Sequence, residues 1–272
     1  LGFSSGIGGL SKRGILVKGS SAIEELAKIN QTVFDKTGTL TAGTFTVAHV
    51  IGSEETLKDA AYAESSSNHP IAKGIIHAYK GTVDKTLIQA VKEIPGRGLS
   101  IDMENNHILA GNKALMADNG IQCPDIEETG TRVYVAKNGT FEGCLIVADE
   151  LKEKAASAID QLHKDGMKCI LVSGDSQDTV DTVSAELHMD GAHAQCLPSE
   201  KVNIIQKLKE NGPVAFVGDG VNDAPVLVEA DIGIAMGAFG SDAAIEAADV
   251  VIMDDDPEKV SVAIHASKKT LH

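Results

Sequence analysis

The chain reads TVFDKTGTLT from Thr32 to Thr41, so an apolar run is followed at once by a carboxylate, three hydroxyl side chains and a glycine. The apolar run predicts a buried strand that ends at Asp35, and the polar residues after it predict a loop. A carboxylate at such a place can attack a phosphoryl group and carry it as an acyl phosphate, while hydroxyls and backbone N–H groups hold the phosphate oxygens. The segment therefore predicts both a core strand and a site of phosphoryl chemistry.

Short β-branched runs alternate with amphipathic stretches from about residue 145 to the end of the sequence. Strands are predicted at 144–147, 169–172, 214–217, 232–235 and 250–253, with helices near 152–164, 178–188, 199–210, 223–230, 241–248 and from 258. This alternation is typical of an α/β fold, a doubly wound parallel sheet with helices on both faces. Ligands of such sheets bind beyond the carboxyl ends of the strands.

Residues 45–143 break the alternation. Turn signals at 104–106 and 138–139 lie between apolar runs and predict antiparallel hairpins, and two helical stretches precede them. We therefore predict an α+β domain over 45–143 that is inserted into a parallel-sheet domain formed by 1–44 and 144–272.

Polar clusters follow three of the predicted parallel strands. Because parallel strands bring their carboxyl ends to one edge, we expect Asp35, Asp219 and Asp223 to share a pocket. Three crowded carboxylates require a cation that prefers oxygen ligands, which implies Mg²⁺. Lys201, at the start of a predicted helix, can supply positive charge to a transferring phosphoryl group.

Position 37 separates two chemistries. Phosphatases of the haloacid dehalogenase type place a second aspartate two residues after the nucleophile, where it releases phosphate as an acid and base. Thr37 cannot serve as a proton shuttle near neutral pH, so we expect a long-lived aspartyl phosphate. A free-standing phosphatase or phosphomutase is the weaker alternative.

The segments DKTGTLT at 35–41, GDGVNDAP at 218–225 and Ser-Gly-Asp at 173–175 closely resemble the phosphorylation-domain motifs of P-type ATPases. The resemblance implies a haloacid-dehalogenase-like domain in which ATP phosphorylates Asp35. It also implies that Lys201 neutralises the phosphate. The candidate residues are Asp35, Thr37, Ser173, Asp175 and Lys201 for catalysis, Gly174 and Asn222 for cofactor binding, and Asp35, Thr37, Asp219 and Asp223 for Mg²⁺.

A second set of motifs lies in the inserted domain. Ser67-Asn68-His69-Pro70 predicts a helix that begins at Pro70 and leaves His69 at its N-terminus. Gly96-Arg97-Gly98 and Gly111-Asn112 fall beside predicted strands, where missing side chains would let a flat ring or ribose lie against the backbone. With Glu64, these residues resemble the nucleotide domain of heavy-metal-transporting P-type ATPases. The resemblance implies that the adenine-orienting residues are Glu64 and His69, and that the pocket is lined by Gly96, Gly98, Gly111 and Asn112.

No Walker lysine motif occurs in the sequence, so we expect the phosphates of ATP to be held by the parallel-sheet domain while the nucleotide bridges the two. A nucleotide sensor that binds ATP without becoming phosphorylated is a further alternative. The presence of Asp35, Asp219 and Lys201 argues against it, because a sensor needs no nucleophile.

The segments at 8–19 and 41–47 resemble those of zinc, cadmium and lead exporters, and a copper exporter is the alternative. The resemblance implies that residues 1–18 are a juxtamembrane lead-in at the cytosolic face of a membrane. The chain begins with Leu1 rather than Met, so we expect a part of a longer protein. Its transmembrane and actuator domains, and the residues that bind the transported soft metal ion, would lie elsewhere in that protein.

Composition excludes some partners. A net charge of −15 with no cluster of basic residues argues against nucleic acid as a partner. No apolar run approaches the roughly 18 residues that a membrane helix needs, so we expect this part of the protein to be soluble. The four cysteines form no C-x-x-C pair and are interpreted as reduced thiols.

Overall fold

The computed structural model describes residues 2–219, 223–237 and 242–271, with the backbone alone for residues 2–5. The chain divides into two compact units. Unit 1 consists of Leu1–Ala42 and Leu151–His272, and unit 2 consists of Gly43–Glu150.

The strands of the described residues follow in chain order: β1 Ile15–Val17, β2 Gln31–Asp35, β3 Thr41–Ile51, β4 Ile88–Ile94, β5 Gly98–Met103, β6 Asn106–Gly111, β7 Thr131–Lys137, β8 Thr140–Leu151, β9 Lys168–Val172, β10 Gly191–His193, β11 Val214–Gly218, β12 Ile232–Met236 and β13 Val250–Ile252. The α-helices follow in the same order: α1 Gly2–Lys12, α2 Ser20–Lys28, α3 Glu54–Glu64, α4 Pro70–Ala78, α5 Lys113–Asp118, α6 Ala155–Lys164, α7 Gln177–Leu187, α8 Pro198–Leu208, α9 Ala224–Glu229, α10 Asp242–Ala247 and α11 Glu258–Thr270.

Unit 1 is built on a seven-stranded sheet in the order β1-β13-β12-β11-β2-β9-β10, parallel except for β1. Successive residues of its central strands enter two different cores. Phe34 and Val217 pack on one face, while Val33 and Phe216 pack on the other. Both faces are therefore covered, which explains why the strands read as continuous apolar runs. The predicted doubly wound α/β fold is confirmed.

Unit 2 is built on a six-stranded sheet in the order β3-β8-β7-β6-β5-β4, with antiparallel pairing from β8 to β4. Helices α3 and α4 pack against each other, and α3 lies on β6, while α5 contacts β6 and β7. Along β7 the side chains alternate between two cores, since Val133 and Val135 enter one and Tyr134 the other. Both predicted hairpins are present, with turns at 104–105 and 138–139.

The predicted limits of the inserted domain were too narrow. Residues 144–147, predicted as the first strand of the parallel sheet, lie within β8, which pairs antiparallel with β7. A buried β-branched run fits either sheet, but the tight Asn138–Gly139 turn pairs it with the strand before it. The compact unit accordingly runs from 43 to 150 instead of 45 to 143.

The segment expected to be a juxtamembrane lead-in is part of compact unit 1. Leu10 and Ile15 are buried, and β1 pairs antiparallel with β13 at the edge of the sheet. The antiparallel edge strand is too short to show a period in the sequence. Within the described ranges, no helix combines the length and the apolar character needed to cross a bilayer.

Candidate functional site

Asp35 ends β2, an interior strand of the unit 1 sheet. β2 lies between β11 and β9, and the Asp35 side chain at its carboxyl end is almost fully buried. The Lys201 Nζ, in the first turn of α8, donates to Asp35 Oδ1 at 3.0 Å and to Asp223 Oδ1 at 3.3 Å. One lysine therefore binds two buried carboxylates.

The charges of this site are strongly coupled. Burial, the largest cause, and the nearby Asp223 raise the pKa of Asp35 to about 8, against the attraction of Lys201, which lowers it. Burial alone would lower the pKa of Lys201, but Asp35 and Asp223 raise it above its ordinary value overall. Lys201 thus stays charged and favours the ionised, nucleophilic form of Asp35.

The three predicted metal-ligand carboxylates lie together. One oxygen each of Asp35, Asp219 and Asp223 falls within 4.8 Å of the others. Gly38 makes room for this arrangement, because a Cβ there would lie 1.9 Å from Asp219 Oδ2. An all-oxygen set with two buried members fits a hard divalent cation such as Mg²⁺. Asn222, predicted to bind the cofactor, lies outside the described residues.

The loop that follows Asp35 is held by its own contacts. The Lys36 side chain is 2% exposed and forms an ion pair with Asp175 Oδ2 at 2.7 Å. The Thr41 hydroxyl accepts from the Gly38 N–H at 3.1 Å and donates to the Lys36 carbonyl at 3.2 Å. Thr37 is exposed and its backbone is not helical. The loop thus presents Thr37 outward on a fixed backbone.

Residues that follow β9 stabilise the backbone at the same carboxyl edge of the unit 1 sheet. The Ser173 hydroxyl is buried and accepts from the Asp175 N–H at 3.0 Å. Gly174 lies beside Cys196, whose carbonyl would be 3.5 Å from a Cβ at that position. The structure brings Asp175 to Lys36 rather than to the three metal-ligand carboxylates.

Sequence reasoning missed a second lysine of this edge. Lys152 Nζ donates to the Gly38 carbonyl at 3.4 Å. Burial lowers its pKa, against the attraction of Asp255 and Asp219 among other aspartates. Lys152 follows β8 and lies in no motif. Its place at the site is therefore evident only from the structure.

Unit 2 contains a cavity of about 400 Å³. The six nucleotide-site residues predicted in unit 2 all line it: Glu64, His69, Gly96, Gly98, Gly111 and Asn112. Glu64, the last residue of α3, is 8% exposed. Burial and the neighbouring Glu93 raise its pKa to about 7.

Two cap residues shape the rim of this cavity. His69 caps α4, and its Nδ1 accepts from the Ile71 N–H at 3.2 Å. In the neutral ring the proton then sits on Nε2, which becomes a hydrogen-bond donor. Asn112 caps α5 by accepting from the Leu115 N–H at 2.9 Å, and its Nδ2 donates to the Gly96 carbonyl at 2.8 Å. Asn112 therefore fixes the turn that carries Gly96.

A side chain would be excluded from the three glycine positions of the cavity for different physical reasons. A Cβ at Gly98 would lie 2.2 Å from the Ala110 carbonyl oxygen, and one at Gly111 would lie 2.2 Å from the Arg97 carbonyl oxygen. At these two positions the chain itself fills the space. Gly96 has a φ of +71° and no atom within 4 Å of a Cβ, so it alone of the three opens onto free space.

Among the residues that the structure describes, one other cluster has metal-ligand chemistry, formed by His163, Cys169 and Asp190. Asp190 Oδ2 accepts from the Cys169 N–H at 2.7 Å and lies 3.0 Å from His163 Nε2. Burial raises the pKa of the Cys169 thiol to about 12. The contacts are explained by a carboxylate that caps the start of β9.

Residues 31–231 match the family of haloacid dehalogenase-like hydrolases. The chain is 44% identical to a zinc-transporting ATPase of Synechocystis over 279 residues and to a cadmium, zinc and cobalt-transporting ATPase of Bacillus subtilis over 280. It is 40% identical to a copper-exporting P-type ATPase of Staphylococcus aureus over 277 residues. These alignments cover 98–99% of this chain but 39%, 40% and 34% of the relatives, so the chain spans about two fifths or less of their length.

Among solved structures, the catalytic domain of the CPx-ATPase CopB-B superposes with a TM-score of 0.80 at 31% identity. The match covers 95% of this chain and 98% of that domain.

Proposed function

The chain belongs to the haloacid dehalogenase-like hydrolases, as the catalytic region of a heavy-metal P-type ATPase, and from this premise we propose that it transfers the γ-phosphate of ATP to Asp35. The observation that carries the proposal is the placement of Asp35 at a strand end, in contact with Lys201 and grouped with two further carboxylates.

In the transfer, a carboxylate oxygen of Asp35 forms a bond to the γ-phosphorus while the bond from that phosphorus to the bridging oxygen of ATP breaks. ADP leaves with the electron pair of the broken bond. Lys201 favours the ionised form of Asp35 before the attack and offsets negative charge on the transferring group. Asp35, Asp219, Asp223 and the Thr37 carbonyl would hold Mg²⁺, which when bound supplies further positive charge to the phosphate oxygens.

The acyl phosphate then persists because the exposed residue at position 37 is a threonine. A water molecule that attacks the phosphorus needs a base to accept its proton, and Thr37 offers only a hydroxyl group. Ser173 and Asp175 support the transfer by holding the backbone of this edge, since Asp175 anchors Lys36. These assignments make Asp175 a positioning residue.

We assign the adenine end of ATP to the cavity of unit 2. Glu64 and His69 would face the base, since both line the cavity and His69 presents an Nε2 donor. Gly96 would leave room for the base or the ribose. A cavity lined by glycines and a few polar groups suits a base and a sugar, whereas the charged phosphates suit the lysine-bearing edge of unit 1.

The test is to incubate the chain with Mg²⁺ and γ-labelled ATP, quench the mixture in acid and measure label on the protein. The expected result is label that hydroxylamine removes and that Asp35→Asn lacks. Label that survives hydroxylamine, or that Asp35→Asn retains, would contradict the proposal. Binding of ATP without any label would favour a nucleotide sensor.

We further propose that the chain is part of a longer transporter, in which phosphorylation drives export of Zn²⁺, Cd²⁺ or Pb²⁺ from the cytosolic face of a membrane. The 44% identity to two zinc-transporting relatives supports this choice. Export of copper is the second candidate, supported by the 40% identity to a copper-exporting ATPase. Turnover of the full-length protein, compared across Zn²⁺, Cd²⁺, Pb²⁺ and Cu⁺, distinguishes the two.

A further inference from the structure

The cavity of unit 2 extends across four neighbouring strands at one end of the antiparallel sheet. Its wall includes Glu93 on β4, Gly98 on β5, Gly111 on β6 and Arg132 on β7. Gly98 pairs directly with Gly111, so the middle of this wall is backbone without side chains. Because adjacent strands lie about 4.8 Å apart, the strands that carry Glu93 and Arg132 are separated by roughly 14 Å. The cavity therefore has a carboxylate at one end and a guanidinium group at the other.

The guanidinium group of Arg132 lacks a partner within the described part of the chain. The side chain is half-buried, and its Nε is fully buried without a hydrogen-bond partner among the described residues. Arg132 also forms no ion pair with any of them. A buried donor of a charged group that is left unpaired costs free energy, and most buried polar groups in native folds are paired. A ligand that brings acceptor atoms to the Arg132 guanidinium would remove this cost.

Arg97 is the other arginine on the cavity wall, and its charge is already offset. The Arg97 Nε donates to Asp118 Oδ2 at 2.8 Å. The two arginines thus have the same chemistry and line the same cavity, but one is bound by a carboxylate of the fold. Of the two, Arg132 is the one that is available to an anion.

We propose that Arg132 forms an anion subsite of this cavity, which binds the phosphate group attached to the ribose of a nucleotide. The planar guanidinium group suits a phosphate, because its N–H donors can bind two oxygen atoms at once. The inference rests on the proposed function, since it takes the cavity as the site of the base. It assigns a role to a residue that belongs to none of the motifs of unit 2.

The two charged ends of the cavity give the nucleotide a direction. The base of adenosine carries an amino group that donates hydrogen bonds, whereas the phosphate group is an anion. With the base toward Glu93 and the phosphate toward Arg132, like charges stay apart and opposite charges meet. The γ-phosphate of ATP lies two phosphate groups beyond the subsite, so Arg132 does not compete with Lys201 for the group that is transferred.

The experiment compares the affinities of the chain for adenosine and for AMP by NMR titration at pH 8 without Mg²⁺. The two ligands differ only in the 5′-phosphate group, so the ratio of their affinities measures the subsite. The wild-type chain should bind AMP at least about tenfold more tightly than adenosine, the lower end of what a hydrogen bond to a charged group contributes. A general disturbance of the cavity would lower both affinities and leave their ratio unchanged.

Three substitutions locate the cation that recognises the phosphate. Arg132→Gln should bind AMP no more than about twofold more tightly than adenosine, because an amide carries no charge. Arg97→Gln should keep the wild-type ratio, since Asp118 already offsets the charge of Arg97. Lys85→Gln removes an exposed positive charge of unit 2 that does not line the cavity, and it should keep the ratio as well.

The same spectra contain a direct signal of the contact. The Nε–H resonance of Arg132, identified by its absence in Arg132→Gln, should shift when AMP is added and should stay in place when adenosine is added. A resonance that responds equally to the two ligands would contradict a contact with the phosphate group.

Equal affinities for adenosine and AMP in the wild-type chain, or a preference for AMP that survives in Arg132→Gln, would overturn the subsite. An equal loss of the preference in Arg97→Gln or Lys85→Gln would also overturn it, because the preference would then follow the net charge of the unit. These results would leave the proposed function intact, since adenosine would still bind. Failure of the wild-type chain to bind adenosine would instead contradict the adenine site itself.

Discussion

The strand-end site of unit 1 and the cavity of unit 2 consist of different kinds of residue. In unit 1, Asp35 and Asp223 are buried and share the charge of Lys201. In unit 2, the predicted residues are glycines, two helix caps and Glu64, a single carboxyl group whose pKa burial and Glu93 raise to about 7. Transfer of a charged group needs fixed charges in a place of low dielectric constant, whereas recognition of a base needs space and a few directed hydrogen bonds.

The difference makes the two sites separable by mutation. Substitutions at the unit 1 site should stop phosphorylation and leave nucleoside binding unchanged. Substitutions in the unit 2 cavity should weaken nucleoside binding before they affect the chemistry of Asp35.

Lys201→Ala should lower the rate of Asp35 phosphorylation by about 10²–10³-fold, the usual cost of one group that stabilises a transferring charge. The substitution also removes the ammonium group that offsets the repulsion between Asp35 and Asp223, which disfavours the ionised nucleophile. The initial rate of labelling from γ-labelled ATP measures the effect. Adenosine affinity should stay within twofold of the wild type.

Lys207→Ala provides the matched control for Lys201, because Lys207 lies exposed on the same helix. It should label at the wild-type rate. Equal loss in the two variants would mean that helix α8 acts through its stability and not through the Lys201 ammonium group. Weaker adenosine binding in Lys201→Ala would contradict the separation of the two sites.

Gly96→Ala and Gly139→Ala form a matched pair in unit 2. Both glycines have a positive φ, +71° and +81°, and neither has an atom within 4 Å of a new Cβ. Each substitution should therefore cost about 1 kcal/mol of unfolding free energy through backbone strain. Only Gly96 lines the cavity, so Gly96→Ala alone should weaken adenosine binding, by about tenfold or about 1.4 kcal/mol.

Titration of adenosine into both variants measures the difference. Equal affinities in the two would show that Gly96 does not border the bound base or ribose. A loss of unfolding free energy at Gly96 well above that at Gly139 would assign Gly96 a structural role instead.

Glu142→Gln tests a charge of unit 2 that lies outside the cavity. Burial and the adjacent Asp59 raise the pKa of Glu142 to about 7, against an ordinary value of 4.5. Between these values the folded chain holds a proton that the unfolded chain has released, so the free energy of unfolding should fall as the pH rises from about 4.5 to about 7. The loss should be about 1 kcal/mol, because solvent screens a half-buried side chain.

Glu142→Gln should remove this loss and should exceed the wild-type stability above pH 7. Tyrosine fluorescence during urea unfolding measures it for unit 2 alone, since the chain has no tryptophan and its three tyrosines, Tyr62, Tyr79 and Tyr134, all lie in that unit. Glu127→Gln is the control. Parallel pH curves for the wild type and Glu142→Gln would contradict the prediction.

Much of unit 1 could be predicted because its strands are buried on both faces and end in polar residues. The carboxyl edge of a parallel sheet then places Asp35 near Asp219 and Asp223 without knowledge of the side-chain packing. The Lys36–Asp175 ion pair and the reach of Lys152 to Gly38 could not be found in this way. They join residues far apart in the sequence. No motif surrounds Lys152, and the motif that contains Lys36 does not indicate which side chain Lys36 contacts.

In unit 2 the hairpin turns could be predicted from the sequence, but the role of each glycine could not. Gly98 and Gly111 were expected to make room for a ligand, and in the fold they make room for neighbouring strands. A glycine beside a strand indicates a close approach without saying what approaches. The same limit applies to residues 144–147, since an apolar run indicates burial without indicating which sheet it joins.

The most direct test of the account is the lifetime of the phosphorylated protein in the wild type, Thr37→Asp and Thr37→Asn. Thr37 is exposed, so both substitutions should leave the fold intact. After a pulse of γ-labelled ATP and a chase with unlabelled ATP, the account predicts that Thr37→Asp loses label at least about 10²-fold faster than the wild type, because the aspartate accepts the proton of the attacking water. Thr37→Asn, which has a similar size but accepts no proton, should resemble the wild type. Equal lifetimes in all three proteins, or phosphate release by the wild type without any accumulation of label, would contradict the central claim that this chain forms a lasting phosphate on Asp35.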